Sequence, residues 1–317
     1  MITPAVLPRL ALATCALMLA LSACAPPQQT ADPSSSPAGT DTPASAAIRA
    51  HYAKVQSALL SEGLLRTDTH PFDAPMTPRH LTENFLRIAL FEEYAGGQVT
   101  RHSTETPILL LRWQVPVRVA LRFGRAVPAA QQSADRARVA LYLKRLSKVT
   151  GHPISLSDAQ PNFWVYIASV DDRAALGPEL SAQIPGLTPG QMQSVTQMDA
   201  GTYCQVLTQS NSATSGYVRA AAVIPSEHPD LMRLACIHEE LAQSLGLPND
   251  SNAARPSIFN DDQEFALLTF QDELMLQILY DPALSPGMTR AQAQPIVETL
   301  ATALLGGETA AQTGVKR

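Results

Sequence analysis

The stretch IHEELAQSLGLPND, residues 237–250, decides how this chain is read. Leu234, Ile237, Leu241, Leu245 and Leu247 supply the apolar partners of a buried helix. Glu239 and Gln243, four positions apart, fall on one face of that helix, where two side chains can reach one ion or each other. Glu240 stands beside them. Gly246 supplies a helix stop, since glycine tolerates the backbone conformation that lets the chain turn back and bring up Asn249 and Asp250. His238 lies about 100° around the helix from Glu239 and does not face the same point. It reads as a structural or surface histidine, and so does His228 before Pro229.

The chain starts with a segment read as targeting. Arg9 precedes an apolar run from Leu10 to Leu21, too short for a comfortable membrane span, which ends in Leu21-Ser22-Ala23-Cys24. This resembles the bacterial lipobox, which implies cleavage before Cys24 and lipid on Cys24. The alternative is an ordinary secretory signal and a soluble periplasmic protein. Ala25 follows the cysteine in place of an aspartate, which by resemblance to the enteric sorting rule favours the outer membrane over the inner. Residues 25–47 are Pro, Ser, Thr, Ala and Gln with few large apolar side chains, and read as a flexible tether. The expected organisation is a signal over 1–23, a tether over 24–47, an N-terminal helical region over 48–105, a main domain over 106–305 and a tail over 306–317.

Charge and cysteine usage narrow the class. A net charge of −5 with no basic run argues against nucleic acid as a partner. Of the four cysteines, Cys15 leaves with the signal and Cys24 takes the lipid. Cys204 and Cys236 remain, and in an oxidising compartment they most simply pair. Two unpaired buried thiols are the alternative.

The spacing predicts helices over 45–65 and from Pro78 to Gly96-Gly97, with Thr77 as a cap and His51, His70 and His80 on the surface. It predicts a strand over 109–123, a helix over 134–149 and a buried strand over 163–170. An excursion over 176–198 carries a short helix, and strands follow over 202–207 and 217–223. The key helix opens at Asp230, another runs from Thr269 to Tyr280, and a last one covers 291–305. No nucleophile elbow, phosphate loop or Cys-x-x-Cys pair appears.

Glu239-Glu240-x-x-Gln243-x-x-Gly246-x-x-Asn249 has the spacing of the extended zincin motif H-E-x-x-H-x-x-G-x-x-H with each imidazole replaced. Ser257-Ile258-Phe259-Asn260 stands where matrixin-type zincins place their Met-turn, with Phe259 in place of the methionine. Leu268-Thr269-Phe270-Gln271-Asp272 resembles the start of the matrixin closing helix. The same segments, with Leu279-Tyr280-Asp281-Pro282 and Gly287-Met288, resemble an uncharacterised family of proteobacterial lipoproteins defined by a domain of unknown function. The resemblance implies an α+β fold, a zincin-like twisted mixed sheet packed on a long active-site-type helix, with extra N-terminal helices.

Two functions follow as expectations. With Glu239, Gln243, Asn249 and Asp250 at former ligand positions, no metal is expected, since neutral amides compete poorly with water for zinc. Calcium or another oxygen-ligated ion, held by Glu239, Asp250 and Asp261, is the exception. The first function is a non-catalytic binding or scaffold module of the cell envelope. It would be anchored to the bilayer through acylated Cys24 and take an envelope protein, peptide or glycan in a groove alongside 217–223. The alternative is a peptidase-like hydrolase with Glu240 as general base.

Overall fold

The computed structural model describes residues 42–74, 76–92 and 106–306. The signal, Cys24, the Gly96-Gly97 stop and the tail beyond Gly306 lie outside the described residues.

Thr42 caps helix α1 (Pro43–Ser61), its side chain accepting from the Ser45 N–H, with proline in the first turn. Residues 43–47, expected in the tether, are therefore helical, because the Thr-Pro pair is a helix start. The Ser45 hydroxyl donates to buried Glu227 at 3.0 Å, and Tyr52 stacks on His228 at 4.1 Å. Thr77 caps α2 (Pro78–Ala89) as expected, but the helix ends before β1 (Phe91–Glu92), which pairs with β2 (Thr106–Pro107).

The central sheet starts late. Of the expected strand over 109–123 only β3 (Val117–Phe123) joins the ladder, after Pro116, while Trp113 makes an isolated bridge to Tyr217. Helix α3 (Ala129–Thr150) leads to β4 (Ile154–Leu156) and β5 (Phe163–Ala168). Helix α4 (Val170–Ala174) follows β5 directly, and the excursion holds two short helices, α5 (Gly177–Gln183) and α6 (Pro189–Thr196). Strands β6 (Gln205–Ser210) and β7 (Tyr217–Pro225) precede α7 (Asp230–Gln243), α8 (Phe270–Tyr280) and α9 (Arg290–Leu305).

The fold is α+β, with five strands in the order β4-β3-β5-β7-β6, all parallel except β6. Strand β5 is apolar throughout because both faces of the sheet are covered. Phe163, Val165 and Ile167 enter the main core with Val139, Leu143, Ile237, Leu241 and Leu279. Trp164 and Tyr166 enter a second core with Leu180, Ile184 and Val195 of α5 and α6. Each large apolar side chain so buried stabilises the fold by about 1.5–3 kcal/mol. Ala220 and Ala222 of β7 face the main core, and their small side chains leave room for α7 against that strand. The groove expected alongside 217–223 is filled, since β7 lies between β5 and β6. The edge on that side is β6.

Three links fix α7. Arg233 Nε donates to Asp135 of α3 at 2.7 Å, an ion pair with both side chains buried. The Cys204–Cys236 disulfide ties it to the residue before β6. Gly246 follows its end at φ +125°, where an added Cβ would lie 2.1 Å from the Leu111 carbonyl oxygen.

Two stability measurements follow. Gly246→Ala combines a disfavoured φ with a backbone clash and is expected to cost about 2–4 kcal/mol in denaturant unfolding; no loss would mean that the Leu111 contact is loose. Replacing both Cys204 and Cys236 by Ser opens a cross-link spanning 32 positions, and a loss of about 3–4 kcal/mol is expected from loop-closure entropy.

Candidate functional site at the end of α7

Helix α7 delivers Glu239, Glu240 and Gln243 to a largely buried place below the sheet. The loop that follows turns back so that Asp250 reaches Gln243, and Asn249 fastens that loop to α2. Glu240 is 3% exposed, Gln243 4%, and Asp250 8%, while Glu239 is half-buried.

The structure brings Gln243 and Asp250 together. The Gln243 amide nitrogen donates to Asp250 Oδ1 at 3.1 Å within the interior. Asn249 goes elsewhere: its Nδ2 donates to the Arg87 carbonyl at 2.9 Å and its N–H to the Ile88 carbonyl at 3.2 Å. It therefore fastens the loop to the end of α2, leaving a buried Oδ1 with no hydrogen-bond partner. The Ser244 carbonyl at the helix end accepts from Trp113 Nε1 at 2.8 Å, and Tyr280 donates to the Leu245 carbonyl at 3.0 Å.

Carboxylates crowd one another here. Burial, then the charges of Asp250, Glu240 and Asp261, hold Glu239 well above the usual carboxylate range. Burial and then Asp261 push Asp250 up to about 7, against the lowering effect of the Gln243 amide. Desolvation and Asp262 shift Asp261 in the same direction on its exposed loop. Every charge acting on Glu239 in that set is negative, so the cluster gains from taking up a proton or a cation.

The turn beneath is held by a residue the motif reading placed only as part of a helix start. Asp272 accepts from the Ser257 hydroxyl at 2.6 Å and the Ile258 N–H at 3.1 Å. It also accepts from the Thr269 N–H at 2.8 Å and the Thr269 hydroxyl at 2.9 Å. Burial still pushes Asp272 up to about 6. The signal was the capping box Thr269-x-x-Asp272, which is present at the start of α8. Ser257 also accepts from the Phe259 N–H at 3.0 Å, and Phe259 is fully buried.

His238 has the structural role expected. Its ring stacks on Tyr142 at 3.9 Å, and its Nδ1 accepts from the Leu268 N–H at 3.1 Å. Burial pushes His238 down to about 3, and His228 likewise. His51, His70 and His80 are exposed.

The residues present do not fit zinc. They offer carboxylates and amides, the Gln243 amide is committed to Asp250, and Asn249 is turned to α2. Among the described residues no three His, Cys, Asp or Glu side chains form a group that could hold a metal ion.

These shifts have opposite signs in pH. Asp250, with a raised folded pKa, favours the fold below about pH 4 and loses that contribution as pH rises through about 7. His228 and His238, with depressed folded pKa values, favour it above about pH 6.5 and lose that contribution as pH falls toward about 3. Asp250→Asn keeps an acceptor for Gln243 and removes the first effect. The melting temperature of the variant minus that of the parent is expected to increase from pH 5 to pH 8. A difference constant over that range would show that Asp250 is not crowded by its neighbours.

Among the described residues no helix is long and apolar enough to cross a membrane. No curated protein and no solved structure matches the chain. Residues 78–299, from the start of α2 to near the end of α9, match the family described as a protein of unknown function (DUF2927). With more than two thirds of its length in that match, the chain belongs to the DUF2927 family.

Proposed function

We propose that this DUF2927 protein is a lipid-anchored cell-envelope protein whose zincin-like domain is a non-catalytic binding module. The observation that carries the reading is the use made of the former ligand positions. Gln243 and Asp250 bond each other, and Asn249 holds the backbone of α2. Side chains that would converge on an ion instead tie the helix end to its surroundings. A mixed sheet with an antiparallel edge strand, packed on a helix carrying the glutamate pair, supports the zincin-like part of the reading. The edge strand is the place where zincins receive an extended segment, so that groove can outlive the chemistry. Acylated Cys24 would hold the module at a membrane facing the periplasm, with the outer membrane favoured. Its ligand would be an envelope protein, peptide or glycan.

The second reading, a peptidase-like hydrolase with Glu240 as general base, is favoured by one observation. The carboxylates of Glu239, Asp250 and Asp261 influence one another electrostatically, and carboxylate oxygen is the kind of donor that calcium, magnesium or manganese prefer, although the three do not form a ligand group in the structure.

Elemental analysis of protein purified without chelator separates the two. The binding-module reading expects substoichiometric metal, an unchanged melting temperature in chelator and no peptide hydrolysis. A stoichiometric metal that is lost in Glu239→Ala, with hydrolysis abolished by Glu240→Gln, would establish the enzyme instead. Retention of Cys24→Ser in the membrane fraction would contradict the lipid anchor.

A further inference from the structure

We infer that Phe72 of one copy of this chain inserts into the groove between α3 and β4 of a second copy, with the acidic surroundings of Phe72 facing Lys144 and Lys148. This contact goes beyond the binding-module reading and does not depend on it.

The knob stands on a loop that is pinned on both sides. Phe72 is 97% exposed, so its ring is covered by almost nothing in its own chain. On one side of it the Thr69 carbonyl accepts from the Phe270 N–H at 2.8 Å, and the His70 ring stacks on Phe270 at 4.9 Å. On the other, Asp73 pairs with Arg66 at 2.9 Å and with Arg255 at 2.8 Å. Glu264 pairs with the same two arginines at 2.9 and 2.6 Å, and Arg255 also donates to the Asp73 carbonyl at 3.0 Å. An isolated surface ion pair holds little, but a closed network with a backbone bond restrains the loop. An aromatic ring presented this way loses little freedom when a partner covers it, which suits a binding anchor.

The groove has the complementary chemistry. It measures about 490 Å³, and Ala140 and Leu143 of α3 with Ile154 and Leu156 of β4 form its apolar wall. Its charged lining residues are Lys144 and Lys148, one helical turn apart. Arg138 and Arg145 of the same helix are paired with Asp135 and Glu273, whereas among the described residues neither lysine has an ion-pair partner. Leu141, which is 71% exposed and neighbours Lys144 on the helix surface, continues the apolar surface beyond the groove. A groove of this size takes an aromatic side chain with room for the residues beside it.

Charge selects the occupant. In the network next to Phe72, Asp68, Asp73 and Glu264 outnumber Arg66 and Arg255. Exposed Asp262, which accepts from the Glu264 N–H at 2.9 Å, adds a further acid. The free ammonium groups at the groove supply the opposite sign. The same excess of acid sets Phe72 against an anionic membrane surface, which attracts basic segments. A second copy is therefore the partner whose shape and charge both match. Knob and groove are different surfaces, so two copies exchange both contacts about a twofold axis or add head to tail. One ring in one groove covers less area than a standard interface, so the association is weak and falls as salt screens the charges.

The test is sedimentation velocity of the full chain at rising concentration and at low and high salt. The parent is expected to associate at high micromolar concentration. Phe72→Ala, and Lys144→Glu combined with Lys148→Glu, should each weaken that association about tenfold. Any association through the N-terminal segment is common to all forms and cancels in the comparison. These positions are on the surface, so melting temperatures are expected to match the parent. A drop in Phe72→Ala would show that the ring packs in its own chain and would overturn the inference. Mixing decides whether the two features meet. Phe72→Ala keeps the groove and the double variant keeps the knob, so the mixture is expected to associate more tightly than either variant alone. A parent that stays monomeric, variants that associate as the parent does, or a mixture no tighter than its components overturns the inference and leaves the binding-module reading standing. So does a monomeric parent whose binding to anionic vesicles is lost in Phe72→Ala, which would assign Phe72 to a membrane.

Discussion

The hydrogen bond from Gln243 to Asp250 stands where burial and neighbouring carboxylates both oppose the charge of an acid. The Gln243 amide favours the ionised carboxylate of Asp250, against burial and the charges of Asp261 and Asp272. A buried carboxylate among other carboxylates is tolerated only if it is protonated, neutralised or given donors. The fold provides one amide and a high pKa. What surrounds this point follows from the need to hold such a group in place.

The supports are spread over the whole chain. Asp272 gathers four donors from the turn and from the start of α8, and so fixes the floor on which Asp250 and the end of α7 rest. Asn249 and the backbone of α2 close one side. The buried Asp135–Arg233 pair and the disulfide fix the helix upstream. Such pairs add little net stability over apolar packing, but breaking one partner is costly, so they fix register and position more than they add energy. The strain and repulsion are local, and the two apolar cores on either side of the sheet sustain them.

Much of this was legible in the sequence where the signal is local. The cap at Thr77, the helix ending near Gly246 and the apolar run of β5 depend on neighbours within one turn or one strand, and they formed where the pattern put them. The elements that could not be read are those defined by distant partners. Strand β4 is three residues long and exists because β3 lies beside it. Residues 109–116 have strand-like residues, but their backbone meets only scattered partners, Gly287 and Met288 at Leu110 and Tyr217 at Arg112 and Trp113, so no ladder forms. The excursion over 176–198 carries two helices because the outer face of the sheet needs covering, which no local pattern announces. At the site, the spacing located Glu239, Glu240 and Gln243 on one helix, and Asp250 came back to Gln243. That Asn249 would seek the Arg87 carbonyl, 162 positions away, was beyond any motif.

The central claim is that the acids and amides at these positions form one buried, crowded network. The most direct measurement is the titration of the Asp250 side-chain carboxyl, followed by carbon NMR in protein labelled at aspartate and assigned with Asp250→Asn. The account predicts an apparent pKa near 7. A value near 4, the ordinary range for a solvated aspartate, would show that the network is open to water and that the cluster described here does not exist.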